Sequence, residues 1–140
     1  MADFDAINGI LASHFSTQMA SLEPSVSIVW DNAQPDPTPS NPQTEEWCRY
    51  SFRPGSETIG ALGGLTWRGT GVVIVQVFTP LGLGQGPNLD VLRNVQLLFR
   101  DSSPISGVRI QPPISIRQFG EQDGWYQGNA TIPFESDEII

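Results

Sequence analysis

Thr66-Trp-Arg-Gly-Thr-Gly-Val-Val-Ile-Val-Gln-Val-Phe-Thr79 is the longest strand-like run in this 140-residue sequence. Its second half, Val72–Phe78, is apolar on both alternating faces, the pattern of a central strand covered on each side. Gly69 and Gly71 predict a bend or bulge just before it. Upstream, Glu46-Trp-Cys-Arg-Tyr-Ser-Phe-Arg53 alternates strictly. Cys48, Tyr50 and Phe52 face one way, and Trp47, Arg49, Ser51 and Arg53 face the other, as in a half-buried strand. Pro54-Gly55 is expected to stop it.

Working outward, Val26–Trp30 reads as a short strand with Val26, Ile28 and Trp30 on one face. Phe4, Ile7, Ile10, Leu11, Phe15, Met19 and Leu22 recur at helical steps, and Pro24 ends that segment. Asp3 or Asp5 sits where a carboxylate accepts free first-turn N–H groups. A second helix is expected over Asn88–Arg100. Its stripe is Leu89, Leu92, Val95 (or Gln96) and Phe99, with Val91 and Leu98 beside it; Asp90 and Arg100 complement the dipole. Val108–Gln111 and Ile114–Phe119 are a strand pair or one strand broken by Pro112-Pro113. After a turn at Glu121–Gly124, Trp125–Phe134 closes the fold, with Tyr126, Ala130, Ile132 and Phe134 on one face. The acidic tail 135–140 is expected to fray.

The order is α-β-β-β-α-β-β in a single domain spanning 1–140. Two helices cannot cover both faces of such a sheet. The reading is therefore α+β: a mixed, mainly antiparallel sheet with both helices packed on one face. The other face is left to solvent or a partner. Residues 31–44 carry Pro35, Pro37, Pro39 and Pro42 and cannot join a ladder. They are a mobile, functional loop or a plain surface excursion.

Composition narrows the function. Seven basic residues, all arginine, stand against 15 acidic ones, for a net charge of −8. That balance disfavours sequence-independent nucleic-acid binding and anionic membrane surfaces. No run approaches the ~20 apolar residues of a membrane helix. The acidic start Met1-Ala-Asp-Phe-Asp lacks the basic lead of a signal peptide, so a cytoplasmic origin is expected. The single Cys48 excludes an internal disulfide and a cysteine zinc cluster.

No constellation for catalysis emerges, and the chain reads as a non-enzyme without metal or cofactor. Gly82-Leu-Gly-Gln-Gly86 lies between a strand and a helix, where a phosphate loop would sit. However, it lacks G-x-G-x-x-G spacing and a following Lys-Ser/Thr, and Pro87 removes an amide. A tight turn with glycines at positive φ is the plainer reading. His14, the sole histidine, reads as a satisfied boundary residue, and Cys48 as buried and inert. The acidic pairs Glu45-Glu46 and Asp137-Glu138 read as solvated surface.

The aromatics say more. Trp47 and Trp125 are offset from the core-facing Tyr50 and Tyr126, and Trp67 precedes Arg68 at the glycine-interrupted half of its strand. Outward Trp and Arg are enriched at interfaces. The candidate contact residues are thus Trp47, Arg49, Trp67, Arg68 and Trp125, with Pro35, Pro37 and Pro39 of the loop. Partial burial beneath loops such as 31–44 is the other reading of the tryptophans.

The order of these features resembles the tail terminator proteins of long-tailed phages. The matching pieces are the N-terminal helix, Val26–Trp30 leading into a proline-containing loop, and Trp47-Cys-Arg-Tyr-Ser-Phe52. Arg68-Gly-Thr-Gly-Val-Val-Ile-Val-Gln-Val77 then runs into Thr79-Pro-Leu-Gly-Leu-Gly84, a helix ends in Phe99, and Gly124-Trp-Tyr-Gln-Gly-Asn-Ala-Thr-Ile-Pro-Phe134 closes. The resemblance implies a virion structural subunit of a homohexameric ring at the tail neck, assembled in the host cytoplasm. Such a ring caps the tail tube, ends its polymerisation and joins it to the head connector. Its partners would be itself, the tail tube protein and a head-completion or connector protein, with DNA passing through unbound and no membrane. The alternatives are another neck protein such as a head-tail stopper, or a small phosphate-ligand-binding domain.

Overall fold

The computed structural model describes residues 3–31, 46–59 and 66–139. Two helices and six strands follow one another as α1 (Phe4–Leu22), β1 (Val26–Trp30), β2 (Glu46–Ile59), β3 (Thr66–Pro80), α2 (Gly86–Arg100), β4 (Val108–Ile110), β5 (Ser115–Gln122) and β6 (Trp125–Ile139). The fold is α+β. Around Pro112-Pro113 the second of the two readings holds: β4 and β5 do not pair with each other but follow one another along the same edge of β6, interrupted at the prolines.

The strands lie in the order β1-β2-β3-β6-β4, and β5 also pairs with β6. Only β1 and β2 run parallel; the other pairs are antiparallel. The apolar run of β3 is central, between β2 and β6, as its two-sided pattern requires. Val73, Val75 and Val77 meet Tyr50 and Cys48 on one side and Ala130 and Ile132 on the other, all beneath the helices.

Both helices seat on that face. Ile7, Leu11, Phe15 and Met19 of α1 are buried, and Phe15 stacks on Phe99 of α2 at 6.0 Å. Asp3 caps α1 by accepting from the Ala6 amide at 3.0 Å. Leu22, placed on the stripe by spacing, is 43% exposed in the last turn.

α2 begins at Gly86, two residues earlier than expected, so Asp90 falls outside its first turn. Its buried stripe is Asn88, Val91, Leu92, Val95, Leu98 and Phe99. Leu89 is 42% exposed. Asn88 takes the buried place because its amide is satisfied there. Nδ2 donates to the Val77 carbonyl at 3.1 Å and the Tyr126 carbonyl at 3.2 Å, and Oδ1 accepts from Gln118 at 3.3 Å.

Two strand ends also differ from the reading. β2 does not stop at Pro54-Gly55. It absorbs them in a bulge between Pro54 and Glu57, opposite Gly69–Gly71 of β3, and runs on to Ile59. The expected irregularity is real but sits on the neighbouring strand. The acidic tail is not frayed through 139: β6 continues to Ile139 paired along β3. Arg68 and Arg109 hold Glu135 and Asp137 there, which offsets their charge. At its start, Asp123-Gly124 makes a two-residue hairpin turn from β5, both residues at positive φ.

Candidate functional site

Among the described residues, no helix lies on the second face of the sheet. Pair registers assign it Trp47, Arg49, Ser51 and Arg53 of β2, Val72, Ile74, Gln76 and Phe78 of β3, Gln127, Asn129 and Thr131 of β6, and Ser115 and Arg117 of β5. Val72 and Ile74 are half-buried on it in a single chain.

The tryptophans do turn away from the helices, as alternation requires. They are nonetheless not exposed anchors. Trp47 is 3% and Trp125 6% exposed, in a small second core with Val29 and Phe78. Trp47 stacks on Phe78 at 4.2 Å and meets Trp125 edge-on at 5.9 Å. They are buried against one another, Val29 and Phe78; of the loop named in the other reading, residues 32–44 lie outside the described residues. The Trp47 indole N–H is buried without an acceptor among the described residues. Trp67 pairs with Glu138, an even position of β6, and so belongs to the helix side rather than this face. Pro35, Pro37, Pro39 and the rest of 32–45 lie outside the described residues.

The arginines are the distinguishing feature. Arg49, Arg53, Arg68, Arg109 and Arg117 all map to the open face, five of the chain's seven. Three are matched by carboxylates. Arg53 reaches Asp31 at 2.7 Å, Arg68 reaches Asp137 at 2.9 Å, and Arg109 reaches Glu135 at 2.9 Å and Asp137 at 3.3 Å. The Arg68 hydrogen bond holds the Asp137 carboxyl below its usual range. No carboxylate among the described residues pairs with Arg49 or Arg117.

Those two arginines end a single row across four strands. Arg49 pairs with Gln76, Gln76 with Asn129, and Asn129 with Arg117. At about 4.8 Å per strand the row spans ~14 Å. Each guanidinium rests over a ring two residues along its own strand, Arg49 over Trp47 at 5.5 Å and Arg117 over Phe119 at 5.1 Å. Such contacts restrain a guanidinium without using its donors. Between them, Asn129 Oδ1 accepts from Gln127 at 3.0 Å. The sequence reading singled out Arg49 but neither Arg117 nor the row, since the row exists only through pairings of non-consecutive strands.

Elsewhere the structure supplies structural roles. His14 Nε2 donates to the Leu98 carbonyl at 2.8 Å, joining α1 to α2. It lines a groove of about 580 Å³ with Gly9, Ile10, Ser13 and Ile105. Cys48 is fully buried, and burial pushes its thiol up to about 12. Gly82 and Gly84 hold positive φ in the turn before α2, the plainer reading of that loop. Among the described residues, no three His, Cys, Asp or Glu gather as metal ligands, and no helix is long and apolar enough to cross a membrane.

No protein-family model matches the sequence, and no curated protein does. A solved structure superposes with a TM-score of 0.70 at 22% sequence identity, over 97% of this chain and 96% of that one. Its name carries no functional word, and at that identity the likeness shows the fold alone.

Proposed function

We propose that this chain is the structural subunit of a homohexameric ring at the neck of a phage tail. The ring caps the tail tube, ends its growth and joins it to the head connector. One observation carries the reading: a sheet face with half-buried Val72 and Ile74 that has no covering layer among the described residues. A subunit whose sheet is completed by a neighbour leaves that face open until it assembles. The resemblance of the ordered motifs to tail terminators supplies the kind of ring.

The proposed place is the virion neck, reached by assembly in the host cytoplasm. DNA crosses the ring without being held, consistent with a net charge of −8 per subunit. Sedimentation velocity and electron microscopy of the purified chain, alone and with tail-tube subunits, test this. Six-fold rings, or binding to the open end of tubes, are expected. A monomer at all concentrations that leaves tube length unchanged overturns the reading.

A further inference from the structure

The sheet face and the helix layer carry opposite charge. The helix layer bears Asp3, Asp5, Glu23, Asp90 and Asp101 against Arg93 and Arg100. Asp5 and Asp90 are exposed, and Arg100 is spent on Asp101 at 3.1 Å. Across the sheet, Arg49 and Arg117 are held on their rings, and no carboxylate among the described residues pairs with either.

We propose that the row Arg49–Gln76–Asn129–Arg117 docks carboxylates from the helix layer of a second copy of this chain. The inference rests on the ring reading and names the surfaces that would join its subunits. Charge complementarity selects the occupant. The row offers two guanidiniums and two side-chain amides, a set suited to carboxylates. A second copy presents carboxylates on the layer opposite its own row. Sheet face to helix layer is a head-to-tail contact, which closes into a ring when the rotation allows. Nucleic acid fits less well, because two arginines on a chain of net −8 release few counterions.

A charge-reversal pair tests this with the full chain. Arg49→Glu/Arg117→Glu makes the sheet face acidic, and Asp5→Arg/Asp90→Arg makes the helix layer basic. Each variant alone should self-associate about 100-fold more weakly than the parent. An equimolar mixture should assemble, because each acidic sheet face then meets a basic helix layer. Circular dichroism confirms that each variant is folded, and Arg117→Glu alone, at an exposed position, serves should the double variant misfold.

The inference falls if the parent forms rings and the sheet-face reversal leaves them intact; the ring reading then survives. It also falls if the mixture fails to assemble, or if the same reversal abolishes binding of a DNA oligonucleotide instead. A parent that is monomeric throughout overturns both readings together.

Discussion

The side-chain amide of Asn88 occupies the space that any side chain at Gly128 would need. A Cβ at 128 would overlap Asn88 Oδ1 and lie 2.6 Å from Leu92 Cδ1. The absence of a side chain on β6 is what lets the first turn of α2 sink onto the sheet. There the Asn88 amide ties the helix to β3 and β6 through the Val77 and Tyr126 carbonyls.

Gly128→Ala is therefore expected to destabilise the fold by about 1–3 kcal/mol through overpacking. Asn88→Ala should cost a similar ~1–3 kcal/mol through unpaired buried carbonyls. The double variant should cost less than the sum, since Asn88→Ala also clears the space. Urea melts of the three variants measure this, and strict additivity would count against the contact.

Trp47 should behave as a core residue. Trp47→Ala is expected to lose about 3–5 kcal/mol of folding stability. Trp47→Phe should lose far less, because it deletes an indole N–H that is buried without a partner among the described residues. A Trp47→Ala variant as stable as the parent but unable to assemble would restore its role as an exposed anchor.

Acid should weaken the far end of the sheet through Asp137. Its folded pKa is depressed, first by the Arg68 hydrogen bond, so the stability it contributes is complete above the unfolded value of about 3.9. That contribution is lost as pH falls through the lowered folded value. The parent should thus lose more stability than Asp137→Asn between about pH 5 and pH 2. Parallel slopes for the two proteins over that window would rule this out.

Cys48 should resist thiol reagents in the folded chain, being fully buried with its thiol pushed up to about 12. At pH 8, labelling should proceed at the rate of unfolding and jump in denaturant. Prompt stoichiometric labelling of the native protein would contradict its placement.

Strand alternation and helical spacing made most of this architecture legible. Val72–Phe78 announced the central strand, and Cys48, Tyr50 and Phe52 announced the face that receives the helices. The misses share one cause, which is that a side chain's fate depended on residues far away in sequence. Leu89 was placed on the buried stripe and Asn88 left off it, but the Tyr126 carbonyl, 38 positions on, gives the Asn88 amide a buried partner. Glu135 and Asp137 looked like a solvated tail until Arg68 and Arg109 arrived from other strands. Pro54-Gly55 looked like a stop because a bulge needs a partner strand to show itself. The Arg49–Arg117 row was hidden for the same reason: no local pattern links β2 to β5.

β6 follows every other described strand in the chain, yet β3, β4 and β5 all pair with it. The timing of synthesis follows from this. A nascent chain that has emerged only as far as β5 has no Ala130, Ile132 or Phe134 on which to seat α2, and no Tyr126 carbonyl for Asn88. It also lacks Asn129, so Arg49 and Arg117 belong to no common surface. Neighbouring polysomal chains would thus meet as unfinished sheets, with strand edges open, for as long as translation takes to deliver the last strand. Binding surface and folded core become available in the same event, when β6 inserts beside β3.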